Sequence, residues 1–169
     1  MVQLAVVVGL MSPPLLMRLW PALLSSGVVV VGFALVAAHA ARAVSTEETT
    51  GDGRAFEPRQ ALLFVVILAT VMVTSAALQA WLGDVALDAV LAVSGFADVH
   101  AAAATAAQLV AAGRVNLDAV LPGLALGLAA NSVTKMALAW ASGGRAYALR
   151  LLPGIACMLL AFVLTLWLW

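Results

Sequence analysis

The stretch LPGLALGLAANSVTKMALAWA, residues 121–141, decides the fold class. Apart from Asn131, Ser132, Thr134 and Lys135 it is apolar throughout, and its length matches the roughly 20 residues a helix needs to cross the hydrocarbon core of a bilayer. The same character extends over the whole chain. Of its 169 residues 65% are apolar and 9% charged, which excludes an ordinary soluble domain. The sequence predicts an all-α, polytopic helical membrane protein, a single transmembrane domain over 1–169 with room for about six transmembrane helices and the lipid bilayer as its first partner.

Eight basic residues balance eight acidic ones and Lys135 is the only lysine, so no basic patch calls for nucleic acid. The lone Cys157 can form neither an intrachain disulfide nor a zinc cluster and reads as a small buried hydrophobe. No nucleophile with a base near it, no metal-protease spacing and no phosphate-binding glycine loop is present, so an enzyme is not expected. No cofactor is expected either, beyond a bound inorganic ion.

Punctuation divides the chain. Residues 1–43 read as two helices, the first broken at Ser12-Pro13-Pro14, with a turn into the second near Pro21 or Ser25-Ser26-Gly27. Residues 44–57, with Glu47, Glu48, Asp52, Arg54 and Glu57, form a polar loop. Helix 3 spans 58–82, with Pro58 in its first turn. Helix 4 spans 84–112, interrupted at Ser94-Gly95 and closed by Gly113. Helix 5, 116–142, opens at Asn116-Leu117-Asp118, and Gly143-Gly144 turns the chain into helix 6, 146–169. Trp20, Trp81, Trp140, Trp167 and Trp169 fall near predicted helix ends, as in an aromatic belt. Arg42, Arg54, Arg59 and Arg114 fall on one side and Arg18, Arg145 and Arg150 on the other, which weakly favours a cytoplasmic N-terminus over dual insertion with an antiparallel dimer. The breaks near Ser12 and Gly95 occupy corresponding places if the chain is two inverted three-helix halves, and Gly9 with Ser12 shares the spacing of Gly95 with Asp98.

The chemistry lies in polar side chains that lipid tolerates poorly. Gly123, Gly127, Asn131 and Lys135 recur at a spacing of four, with Thr134 at the edge of the stripe. The glycines let another backbone approach, and that neighbour would lie beside Asn131 and Lys135. Asp98 and His100 follow Gly95 in the run SGFADVH, residues 94–100. On a regular helix Ser94, Asp98, Thr105 and Gln108 share one side and His100 lies about 200° from Asp98. An unwound turn near Gly95 would bring the two together and expose carbonyl oxygens to a cation. Asp98, His100, Thr105, Asn131, Thr134 and Lys135 are therefore the candidate ion-pathway or binding residues, with Gly95, Gly123 and Gly127 serving helix break and packing. Asp98 and His100 are the candidate metal ligands, and His39 is a weaker candidate. Opposite charges in lipid should find each other, so Asp98 is expected to face Asn131 or Lys135. The plainer alternative is that the glycines only pack, Lys135 snorkels to the interface and His100 is a hydrogen-bonded interior histidine.

The run SGFADVHAAAATAA, the spaced ANSVTK and the following GGRAYA resemble the membrane domain of unknown function, number 4010, that forms the C-terminal part of many MgtC/SapB-like bacterial proteins. Gly95, Asp98, Val99 and Ala101 match one element of that family, Asn131 and Lys135 a second, and Phe56-Glu57-Pro58 the start of its third helix. His100 stands where the family usually has a second acidic residue. The resemblance implies a multi-pass protein of the bacterial inner (cytoplasmic) membrane concerned with ion transport or metal ion homeostasis. Two functions are expected: a transporter or channel for a small inorganic ion, most simply a cation, or a small membrane regulator or scaffold acting on another complex. Six helices surround a site poorly, so a homodimer is expected.

Overall fold

A computed structural model describes residues 1–44 and 87–169, the side chains of 41–44 excepted, with Val66, Ala69, Thr70, Val73, Ala77 and Trp81 between them. Residues 45–57 of the expected polar loop, most of helix 3 and residues 84–86 of helix 4 lie outside this description, while Val44, expected to begin that loop, ends α2. Among the described residues the fold is all-α: α1 (Val2–Met11), α2 (Pro13–Val44), α3 (Leu87–Ala97), α4 (Val99–Ala111), a 3-10 turn (Leu117–Val120) and α5 (Leu121–Leu168). Pro13–Ala40 and Leu117–Leu168 are long and apolar enough to cross a membrane.

The N-terminal segment differs from its expected layout. No turn forms at Pro21 or at Ser25-Ser26-Gly27, and α2 runs unbroken through both. The Ser25 hydroxyl donates to the Ala22 carbonyl at 3.1 Å and the Ser26 hydroxyl to the same carbonyl at 2.6 Å, so these side chains are satisfied within the helix and need no turn. The hinge is Ser12 alone, with φ −147° and ψ 87°. Pro13 and Pro14 follow it in the first turn of α2, where a missing N–H costs nothing. Met1 approaches Gly27, and Leu16 sits beside Gly9, so α1 folds back along α2.

The ends of α5 reveal a second reversal. Asp118, just before it, meets Arg18 at 3.3 Å, while the Trp169 ring that follows it packs edge-on against Trp20 at 6.3 Å. Arg18 and Trp20 are neighbours on α2, whereas the ends of a straight helix of 48 residues would lie about 72 Å apart. The chain turns at Gly144, whose φ of 75° and ψ of 175° are non-helical. Two arms result, 121–143 and 145–168, each of membrane-crossing length. The second runs antiparallel to α2, with Thr165 hydrogen-bonded to Ser25 and the Phe33 ring against Gly154.

A third reversal joins α3 to α4. A side chain on Gly127 would begin 2.8 Å from the Leu91 carbonyl oxygen and 3.5 Å from the Ala102 methyl. Eleven residues of straight helix would hold those two about 16 Å apart, so α4 doubles back on α3. Gly113, at φ 68°, ends α4: its amide bonds to Val110 and that of Arg114 to Leu109, the paired bonds of a Schellman motif. The core joins Leu4, Val8, Leu15 and Leu19 to Leu91, to the buried alanines of α4 and to Leu124, Leu128, Phe162 and Leu166.

At the tightest point a Cβ on Gly95 would meet the Gly127 backbone, which no rotamer change relieves. Gly95→Ala is therefore expected to destabilise the protein by about 1–3 kcal/mol. Gly32→Ala, with open space around it, should be neutral or slightly stabilising because alanine loses less entropy in a helix. Thermal unfolding in detergent checks the pair.

Candidate functional site

Asp98 is the single extended residue between α3 and α4, with φ −158° and ψ 119°. Its amide closes α3 on the Ser94 carbonyl at 2.9 Å, and its carbonyl opens α4 by accepting from Ala102 at 3.2 Å. Its carboxylate accepts the His100 amide at 2.9 Å as the N-cap of α4. The break thus falls three residues beyond the expected Ser94-Gly95. Gly95 is helical and buried, and its missing side chain serves the contact with Gly127.

The hinge removes the angular separation of Asp98 and His100. The His100 ring Nδ1 lies 2.8 Å from the same carboxylate oxygen, with the Asp98 side chain half exposed and that of His100 about a third exposed. An ionised carboxylate only accepts, so Nδ1 carries the hydrogen of this contact.

A continuous helix would satisfy the carbonyls of Gly95, Phe96 and Ala97 with the amides of Val99, His100 and Ala101. The hinge ends that ladder, since Asp98 belongs to neither helix and the His100 amide is held by the carboxylate. The Phe96 carbonyl is recaptured by the Thr134 hydroxyl at 3.0 Å. Asn131 lies on the same face of the 121–143 arm, between Gly127 against α3 and Thr134 against Phe96. It is 8% exposed and makes no hydrogen bond among the described residues.

Lys135 does not join this face. It is exposed and forms no ion pair among the described residues, and the expected pairing with Asp98 is replaced by the Asp98–His100 contact. The cause is helical drift. Steps of four advance about 40° beyond a full turn, so a face that begins at Gly123 passes through Thr134 rather than Lys135. Thr105, half-buried on α4, lies about 9 Å along the helix from Val99 and stays apart from the hinge. His39 is exposed near the end of α2. Cys157, expected to be buried, is exposed in this chain. Among the described residues no three His, Cys, Asp or Glu side chains gather to hold a metal, so Asp98 and His100 have no third ligand of these kinds.

The pairing of Arg18 with Asp118 was not foreseen, for the sequence suggests only a topology marker and a helix start. It ties α2 to the start of α5, and the Arg18 Nη1 is buried without a partner.

A family model described as a domain of unknown function, DUF4010, matches residues 1–143. The chain belongs to this family. The DUF4010 match takes in α1 to α4 and the 121–143 arm, and with them the hinge, the Gly95–Gly127 contact, Asn131 and Thr134. Neither curated proteins nor solved structures gave a match.

The capping geometry separates the roles of Asp98. Asp98→Ala loses the cap and is expected to lower stability by about 1–2 kcal/mol, whereas Asp98→Asn keeps an oxygen for the His100 amide and should stay within about half a kcal/mol of wild type. Comparing the melting temperatures of the two variants checks this.

Proposed function

We propose that this DUF4010 domain carries a small inorganic cation across the bacterial cytoplasmic membrane, as a transporter or channel, and works as a homodimer. The observation that supports it most is the hinge at Asp98, where two short helices meet with carbonyls released from their ladder beside Asn131, which is 8% exposed and makes no hydrogen bond among the described residues. Irregular backbone at membrane depth survives only where it is buried in protein or lines a watery path, and broken helices supply carbonyl ligands in transporters. The finer architecture belongs to the same proposal: about six crossings in two inverted halves. Single-residue hinges at Ser12 and Asp98, each preceded three residues earlier by glycine, favour that repeat.

A second copy answers a problem of exposure. Asp98 is half exposed and Lys135 exposed, and charges facing lipid near mid-bilayer cost about 2.5–3.5 kcal/mol each on insertion scales. A partner protomer covering this side removes them from lipid.

In proteoliposomes the wild-type chain is expected to carry a cation saturably. Asp98→Ala, which removes the counter-charge, and Asn131→Ala, which removes the amide oxygen, should each reduce flux about tenfold or more, or about 1.4 kcal/mol, with expression and dimerisation retained. Crosslinking in membranes should trap a dimer. A wild-type protein that moves no cation from a panel of mono- and divalent ions, yet co-purifies with another membrane complex, would establish the regulator reading instead. Monomer alone in mild detergent and in membranes would remove the dimer.

A further inference from the structure

Several hydroxyls in the long helices return to their own backbone. Ser26 bonds to Ala22, Ser132 to Leu128, Ser142 to Leu138 and Thr165 to Ala161. Asn131, beside Ser132, does not. Asn131 is 8% exposed and its amide, which keeps that small access, makes no hydrogen bond among the described residues; it lies on the face that packs against the end of α3, where the Gly95 and Ala97 carbonyls have lost their helical donors. All of these groups offer neutral oxygen atoms. The C-terminal end of α3 adds about half a negative charge to the same place, set against the similar positive charge of the α4 N-terminus that Asp98 caps.

We infer that the hinge end of α3 binds one alkali-metal cation, Na⁺ or K⁺, through the carbonyl oxygens of Gly95 and Ala97 and the amide oxygen of Asn131, with Asp98 balancing its charge. The neutral oxygen set selects the ion class. Ca²⁺ sites recruit carboxylates and Mg²⁺ gives up water reluctantly, whereas the one carboxylate here is occupied by the His100 amide and ring. Softer metals need more nitrogen or sulfur than a single imidazole supplies. Charge points the same way: one monovalent cation beside an ionised Asp98 leaves the hinge neutral, and a divalent ion leaves a net positive charge in a medium of low dielectric. The other charged groups on the packed elements are Asp88 in the first turn of α3, at its opposite end, and Lys135, off this face. α1 and α4 contribute no further acidic or basic side chain than His100.

This inference deepens the cation reading by naming the ion class, and it can stand or fall separately. The test is binding of ²²Na⁺ to the purified full chain in detergent, with competition by K⁺, Li⁺, choline, Mg²⁺, Ca²⁺ and Zn²⁺ at constant ionic strength, alongside melting in the same salts. Expected are saturable binding of one ion per protomer, competition by an alkali ion but not by choline, and a melting temperature that rises with the alkali salt. Asn131→Leu should weaken binding about tenfold or more, and Asn131→Asp should move preference toward divalent ions by a similar factor. Absence of alkali binding in the wild-type chain, binding undiminished in folded Asn131→Leu, or stabilisation by divalent ions alone would overturn the site. Alkali binding without flux would keep the site and remove the transport reading; flux of a divalent ion without alkali binding would do the reverse.

Discussion

The backbone contact between Gly95 and Gly127 sets the distance between the α3–α4 hairpin and the 121–143 arm. In the bilayer proposed for this chain no hydrophobic force would drive one apolar helix against another, so close packing and the few available hydrogen bonds would have to hold them. Two glycines facing each other let the backbones touch. That proximity brings the Thr134 hydroxyl to the Phe96 carbonyl and places Asn131 against the end of α3. Larger side chains at these positions would push the helices apart, leaving the carbonyl freed by the hinge without its donor.

The hinge then follows from satisfying polar groups at a chain reversal. A reversal between two helices strands carbonyls on one side and amides on the other. Asp98 resolves the amide side by capping α4 and is held in turn by His100. Thr134 resolves one carbonyl. What is left over is concentrated on one short stretch of α3, and there the chain keeps polar capacity that a packing device alone would have filled.

Much of the fold was legible because apolar runs and glycine punctuation obey local rules. The helical class follows from composition, and the reversal at Gly143-Gly144 lies where the sequence has two successive glycines. The reading went astray where local signals compete. Ser25 and Ser26 resemble a turn by composition, yet their hydroxyls bond within α2. Gly95 resembles a breaker, yet tertiary contact uses it for close approach, while Asp98 followed by an alanine-rich run carries the N-cap signal that marks the true hinge. Gly123 and Gly127 of the glycine-asparagine stripe lie against α3, but a spacing of four overshoots the helical period, so Lys135 drifts off that face and Thr134 stays. The link between Arg18 and Asp118 spans 100 residues of sequence, and no local pattern encodes it.

Ser12 and Asp98 are both non-helical single-residue hinges with glycine three positions earlier, but they differ in chemistry. Ser12 is almost wholly buried, is followed by two prolines that begin α2 without needing donors, and carries no charge. Asp98 is followed by residues whose amides need an acceptor, so it must be a capping side chain, and as a carboxylate it brings a charge that burial against lipid would penalise. The first hinge can therefore be closed and structural. The second has to stay accessible to a counter-charge, and that requirement, more than the shape the two hinges share, is why the proposed cation site is put at the junction of α3 and α4.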